Sequence, residues 1–401
     1  GLRHGYFAGA DPSACGSYGM TETRPIVLAA GGTGGHVFPA QALASELLSR
    51  GYRLVLMADR RSEAFDGALG ELEIYRIDAA GVSGRGYVAK AGAILRLARG
   101  YLQARRRLRR LDPIVVVGFG SYPSAPTVLA AQHLGIKTVI HEQNAVLGRA
   151  NRLLAARATR VATAFASVRA LRAADRDKSV WTGNPVRPEV IVQRDKPYVS
   201  MEAEGDVDLL IIGGSQGAKV FGEIVPRAVS LLDHGLRARL RVVLQCRAEA
   251  VDIAKSNLGR AKVRAEVASF FDDIPERLAK ASLVICRSGA STIAELAVVG
   301  RPALLVPFPY ATDDHQTANA EGLCDAGGGW IVQQDAFIPD VLAERLSSLL
   351  RPGPTLTVAA RCAHQMGKPE AAAQLSDLVV EVVAGNENGE GEDANRQEVA
   401  A

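Results

Sequence analysis

Twice in this chain an apolar run breaks into a glycine-rich loop and then into apolar residues at helical spacing. The first run, 25–30 (PIVLAA), ends in Gly31-Gly32-Thr33-Gly34-Gly35-His36, after which Ala40, Leu43, Ala44, Leu47 and Leu48 recur as one helix face up to Gly51. The second run, 208–212 (DLLII), ends in Gly213-Gly214-Ser215-Gln216-Gly217, roughly 180 residues later. A buried strand passing through glycines into a helix opens a parallel crossover unit. Further apolar runs follow each opening: 54–58, 114–117 and 138–140 after the first, and 241–245, 262–267, 283–286 and 303–307 after the second. The pattern predicts an α/β protein of two doubly wound parallel-sheet halves. Ligands of such sheets bind beyond the carboxyl ends of the strands, which places a site in the cleft between the halves.

Two prolines in 183–190 (GNPVRPEV) interrupt the pattern and mark the join. The expected organisation is an extension over 1–23, a first domain over 24–187, a second over 188–360, a helical segment over 361–384 that packs back on the first, and a tail over 385–401. The tail carries five acids against one Arg and reads as disordered. Met20 reads as a natural start. At 401 residues and 48% hydrophobic content the chain is too long for one core and too apolar for general disorder. No stretch approaches the ~18 apolar residues of a spanning helix, and the leading segment lacks the apolar core of a signal peptide. Five well-separated cysteines match no metal spacing and read as reduced thiols. A net charge of +4 says nothing of nucleic acid by itself. The charge is nonetheless uneven: 85–110 holds nine Lys or Arg and no acid, interleaved with Ile94, Leu95, Leu97, Tyr101 and Leu102. Such a stretch suits an anionic membrane surface, a solvated helix or a nucleic-acid patch, although few aromatics are present to stack on bases.

The loops at the strand ends carry the chemistry. Glycines in 31–35 let backbone N–H groups approach an anion at a helix N-terminus. A nicotinamide fingerprint would require Gly or Ala where Val37 stands, although Asp59 at the second strand's end keeps that reading open. Ser215 adds a hydroxyl to the second glycine loop, which lacks the Lys of a Walker loop. After 283–286 comes Arg287-Ser288-Gly289-Ala290-Ser291-Thr292-Ile293-Ala294-Glu295, small residues at a helix start with a carboxylate one turn in, able to take two ribose hydroxyls. His141-Glu142-Gln143-Asn144 follows the strand at 138–140, and Asn144 suits sugar hydroxyls or an acetamido group. Asp313-Asp314-His315-Gln316 can be imagined around a metal, but adjacent acids point apart and no second His is spaced for it, so Gln316 reads better as a hexose contact.

Seven motifs, GGTGGHVFPA, GFGSYPSAP, HEQNAVLGRANR, GNPVR, GGSQGA, CRSGASTIAEL and PFPYATDDHQTANA, resemble in order and spacing those of the MurG family over residues 24 to about 383. The resemblance implies a GT-B glycosyltransferase with two Rossmann-like domains. The implied reaction moves GlcNAc from UDP-GlcNAc to the 4-hydroxyl of MurNAc in lipid I, with inversion, giving lipid II; a related transferase acting on a lipid such as diacylglycerol is the alternative. It implies donor contacts at Thr33, Gly34, Gly35, Asn144, Arg187, Ser215, Phe271 (through its backbone), Ala290, Ser291, Thr292, Ile293, Ala294, Glu295 and Gln316. His36 is the implied base, with Glu142 as a weaker candidate. No metal and no cofactor are implied. The implied setting is the cytoplasmic face of the bacterial membrane, where 85–110 meets the anionic inner leaflet; other cell-wall synthesis or division proteins are candidate partners, and nucleic acid is not. The extra residues 1–19, the acidic tail and Gly327-Gly328-Gly329-Trp330 depart from the family pattern.

Overall fold

The computed structural model describes residues 24–32, 34–59, 65, 67–79, 87–200, 205–214 and 217–398, without the side chains of 87–91 and 386–398. Thr33, Ser215, the leading 1–23 and the last three residues of the tail lie outside the described residues.

The first half runs β1 (Ile26–Ala29), α1 (Gly34–Ser49), β2 (Leu54–Asp59), α2 (Gly67–Gly70), β3 (Glu73–Ile77), α3 (Tyr87–Leu111), β4 (Val115–Gly118), α4 (Ser121–His133), β5 (Lys137–Glu142), α5 (Arg149–Ala155), β6 (Arg160–Thr163) and β7 (Ser179–Trp181). The second half runs α6 (Pro188–Ile191), β8 (Val207–Ile212), α7 (Lys219–Leu231), α8 (His234–Arg239), β9 (Leu240–Gln245), α9 (Val251–Arg260), β10 (Arg264–Ala268), α10 (Ile274–Lys280), β11 (Leu283–Cys286), α11 (Ala290–Val299), β12 (Ala303–Leu305), α12 (His315–Asp325), β13 (Gly329–Ile331), α13 (Pro339–Leu349), α14 (Thr355–Met366) and α15 (Ala371–Glu398).

Among the described residues the strands form two parallel sheets, ordered β3-β2-β1-β4-β5-β6-β7 and β10-β9-β8-β11-β12-β13. Both are covered on both faces, which is why the central strands are mostly apolar rather than alternating. On one face of the first sheet Ile26 and Leu28 pack with Leu43 and Leu47 of α1; on the other, Val27 and Ala29 pack with Leu108 of α3 and Val128 of α4. In the second sheet Leu209 and Ile211 meet Phe221 and Val225 of α7, while Leu210 meets Ile293 and Leu296 of α11. Burying each of the larger of these side chains contributes about 1.5–3 kcal/mol.

Helix α15 crosses back to the first sheet, where Leu375, Leu378, Val379 and Val382 join the cluster of Ile26 and Leu28. Its backbone stays helical to Glu398, through most of the segment whose composition predicts disorder. No proline stands in 371–398 to stop it. The glycines at 327–329 start an edge strand under close packing: a Cβ on Gly329 would lie 2.5 Å from the Ala303 carbonyl oxygen.

Strand order reverses between β1 and β4 in one sheet and between β8 and β11 in the other. The loops after these four strands are GGTGGH, GFGSYPSAP, GGSQGA and RSGAST, so each motif stands where a doubly wound sheet offers its crevice.

Candidate active site

Helix α1 starts at Gly34, so Gly34, Gly35 and His36 make its first turn, whose N–H groups have no partners within the helix. Helix α4 starts beside it after Gly120, which holds φ 74° where a Cβ would sit 3.2 Å from the Asn151 amide. Ser121 takes φ 64° without being glycine, a strained conformation at the mouth of the cleft. From the second half, α11 presents Ala290, Ser291 and Thr292 in its first turn, behind Gly289 as its cap and with no acid there to oppose an anion.

The imidazole of His36 is half-buried. Its Nδ1 lies 3.0 Å from the Phe119 carbonyl oxygen and 3.0 Å from Gln143 Oε1. Gln143 Nε2 donates to the same Phe119 oxygen at 3.0 Å and to His141 Nδ1 at 3.0 Å. His141 is fully buried beneath, and its Nε2 donates to the Gly183 carbonyl at 3.2 Å. Burial pulls His141 down to about 4, so it is neutral at physiological pH. Among the described residues His36 Nε2 has no protein partner, and His36 lines a cavity of about 230 Å³.

Glu142 is placed differently from a base. Its Oε1 accepts from the Asn144 backbone N–H at 3.1 Å and the Asn144 amide at 3.3 Å. Its Oε2 accepts from the Gly148 N–H at 2.8 Å and the Asn151 amide at 2.9 Å. A carboxylate with four donors at 2% exposure is a brace for the loop, with no lone pair turned to a substrate.

The cavity wall comes from both halves: His36, Gly120, Gln143, Asn144 and Arg149 from the first, Thr312, Asp313 and His315 from the second. Asn319, fully buried on α12, stitches them together. Its Oδ1 accepts from the Ala145 N–H at 2.8 Å, and its Nδ2 donates to Asn144 Oδ1 and to the Ser288 carbonyl, each at 3.1 Å. Nearer the rim, Arg149 and Arg152 reach Asp313 at 2.9 and 2.8 Å, and Arg169 pairs with Glu321. The Arg149 hydrogen bond holds the Asp313 carboxyl below its ordinary range. Asp313 and Asp314 both have positive φ, at 54° and 51°, so this loop is strained as Ser121 is.

Of the other predicted contacts, Arg187 and Glu295 meet: Arg187 Nε and Nη2 donate to Glu295 Oε1 at 3.2 and 3.1 Å. Glu295 Oε2 is not engaged by Arg187. Burial raises the Glu295 pKa and Arg187 offsets part of that rise. Ala290, Ile293 and Ala294 also face a small apolar recess against Phe165, Trp181 and Asn184. Phe271 is buried under the Arg277 guanidinium, 4.3 Å from the ring centre. Gln316 Oε1 is committed to the Phe308 N–H at 2.9 Å, which leaves only its amide N–H₂ for a ligand. The imagined metal set disperses: Asp313 pairs with arginines, Asp314 accepts from the Thr317 hydroxyl at 2.7 Å, and His315 Nδ1 donates to the Thr312 carbonyl at 2.8 Å. Among the described residues no three His, Cys, Asp or Glu side chains converge as cation ligands.

Asn319 entered the sequence reading only as part of a motif, Asp313 only as an imagined metal ligand, and Gln143 only as one polar residue of four. For Asn319 a signal exists, since it stands one helical turn beyond Gln316 and shares its face. For Asp313 and its arginine partners none exists, because the pairing depends on how two domains meet.

The profile of the glycosyltransferase family 28 N-terminal domain matches residues 26–163, and that of the family's C-terminal domain matches 208–375. A UDP-N-acetylglucosamine–N-acetylmuramyl-(pentapeptide) pyrophosphoryl-undecaprenol N-acetylglucosamine transferase of Paramagnetospirillum magneticum is 51% identical over 371 residues, 92% of this chain and 100% of that protein. Its namesake in Rhodospirillum centenum is 54% identical over 356 residues, 89% of this chain and 94% of that protein. Among solved structures, Acinetobacter baumannii MurG superposes with a TM-score of 0.74 at 32% identity, covering 89% of this chain and 99% of that one.

Proposed function

The chain belongs to glycosyltransferase family 28 and, within it, to the UDP-N-acetylglucosamine–N-acetylmuramyl-(pentapeptide) pyrophosphoryl-undecaprenol N-acetylglucosamine transferases, and from that membership we propose how its cleft performs the transfer. The enzyme is a hexosyltransferase of GT-B fold. It moves GlcNAc from UDP-GlcNAc to lipid I, and the product is lipid II for peptidoglycan synthesis.

The supporting observation is the shared cavity, in which a half-buried imidazole from one domain faces the strand-end loops of the other. His36 Nε2 takes the proton from the 4-hydroxyl of MurNAc as its oxygen attacks the anomeric carbon. The bond from that carbon to the diphosphate breaks on the opposite face, which inverts the centre. Negative charge then grows on the departing UDP. The N–H groups at the start of α11, equivalent to about half a positive charge, and the Arg187 guanidinium offset it. Glu295 holds the ribose through its free oxygen, and Phe271 presents its backbone to the uracil. Asn144 and the Gln316 amide contact the sugar, and Gly34 and Gly35 border the diphosphate; Thr33 and Ser215 lie outside the described residues.

Helix α3 supplies the membrane contact in this reading. Ile94, Leu95 and Leu102 are 60%, 63% and 54% exposed. With Ala98 they fall within an arc of about 100° at 3.6 residues per turn; exposed Arg106, Arg99 and Arg110 run along one edge of that arc, exposed Arg109 lies within it, and exposed Arg96 stands farther round. A different face of the helix, with Ala104 and Leu108, is in the core. Half-buried Arg105 also falls within that arc. Among the described residues no helix is long and apolar enough to cross a membrane. In this reading the exposed arc of α3 docks the enzyme on the anionic inner leaflet at its cytoplasmic face, where lipid I is within reach.

Transfer of labelled GlcNAc to a lipid I analogue tests the reaction, and His36→Ala tests the base. Turnover of the variant should fall at least a hundredfold with donor affinity unchanged. Near-normal turnover removes His36 as base, and transfer to diacylglycerol in place of lipid I overturns the acceptor.

A further inference from the structure

We propose that Gln143, backed by His141, is a positioning residue that holds His36 in the tautomer with the proton on Nδ1, so that Nε2 always meets the substrate as a bare lone pair. This rests on the reading of His36 as base.

The proton positions follow from which atoms cannot donate. The Gly183 carbonyl only accepts, so the proton of His141 sits on Nε2, 3.2 Å away. His141 is neutral, so its Nδ1 is an acceptor, and it faces Gln143 Nε2 at 3.0 Å. The Phe119 carbonyl also only accepts, and the same Gln143 nitrogen lies 3.0 Å from it. A flipped Gln143 amide would set oxygen against the Phe119 oxygen and against a bare ring nitrogen, two repulsive contacts in a buried place. The amide therefore has one orientation, with Oε1 toward His36 Nδ1 at 3.0 Å. His36 Nδ1 thus faces two acceptors, Gln143 Oε1 and Phe119 O, and must carry the proton.

A chain of fixed donors therefore runs from the Gly183 carbonyl, just before the crossing to the second domain, up to the reactive nitrogen. His141 and Gln143 carry no charge. A carboxylate at position 143 would hold His36 as imidazolium and remove the lone pair at neutral pH. The amide sets direction without adding charge. The other charged or titratable groups at the same cavity are Tyr122, Glu142, Arg149, Asp313 and His315, and Arg187 lies 5.8 Å from the ring of Phe38 on α1. Glu142 and Asp313 are tied to donors of their own, so neither stands in for Gln143.

The test uses the full chain. Long-range proton–nitrogen NMR of the imidazoles, with His36 assigned by its loss in His36→Ala, reads the tautomer directly. The expected result is Nδ1–H for His36 and Nε2–H for His141. Nε2–H at His36 overturns the proposal with no further variant needed. Gln143→Glu should raise the His36 titration midpoint by about one unit and carry the acid limb of the kcat profile to higher pH by the same amount. An unmoved midpoint overturns the relay. A moved midpoint with an unmoved kcat limb supports the relay and overturns His36 as base.

Discussion

Glu295→Ala removes the carboxylate assigned to the ribose. In the structure that carboxylate is 16% exposed, and its Oε1 accepts both Nε and Nη2 of Arg187, at 3.2 and 3.1 Å. One oxygen is already paired, so the ribose is held by Oε2 and by what remains of Oε1. Two charge-assisted hydrogen bonds contribute about 1.5–3 kcal/mol each when both partners are desolvated. The variant also leaves Arg187 without its partner, but Arg187 is 36% exposed and can rehydrate, so that loss is small. The net expectation is about 3 kcal/mol, on the order of a hundredfold in Kd for UDP. Titration calorimetry with UDP reads it, and Glu295→Gln, which keeps one acceptor oxygen, should fall between. A Kd within about threefold of the parent, with the fold intact by circular dichroism, refutes the ribose assignment and the donor-site geometry built on it.

Other consequences follow from the same contacts. His141 titrates near 6.5 when unfolded and at about 4 when folded. As pH falls the unfolded chain takes its proton first, so this stability is complete above 6.5 and is lost progressively down to about 4, by about 2 kcal/mol at pH 5. Urea midpoints at pH 7.5 and 5 should show that loss, and a His141→Gln variant should lack it. Charge reversal at Arg96, Arg99 and Arg106 should reduce flotation with anionic vesicles at low salt while solution turnover of a soluble acceptor is kept; unchanged flotation removes α3 as the docking face. Leu28→Ala, at a site with no exposure between α1 and α15, should cost about 2–5 kcal/mol in chemical denaturation.

The fold was legible where strands are buried on both faces. The runs that became β1, β2, β4 and β11 are apolar without interruption, β8 is so but for Asp208, and the glycines after β1 and β8 announce the turn into a helix. The strands that escaped notice lie toward the sheet edges: β3 (EIYRI), β6 (RVAT), β7 (SVW) and β13 (GWI) are short, and the first three mix polar with apolar residues; β3 and β7, at the edge, leave most of their residues partly or fully exposed. The same distinction holds at the cleft. His36, Asn144 and the segment Ala290 to Glu295 stand in local motifs at strand ends, so proximity in sequence predicts proximity in space. The Asn319 hub and the grip of Arg149 and Arg152 on Asp313 join residues more than 160 positions apart, and no local pattern encodes the angle at which two sheets face each other.

The central claim is that uridine diphosphate leaves from between the two sheets, at the carboxyl ends of β1, β4, β8 and β11. A crystal of the full chain soaked with UDP-GlcNAc tests it most directly. The account predicts the ribose on Glu295, the diphosphate at the first turn of α11 and the anomeric carbon facing His36 Nε2 across the cavity. Nucleotide bound outside that cleft, or lying there with its sugar turned away from His36, would contradict it.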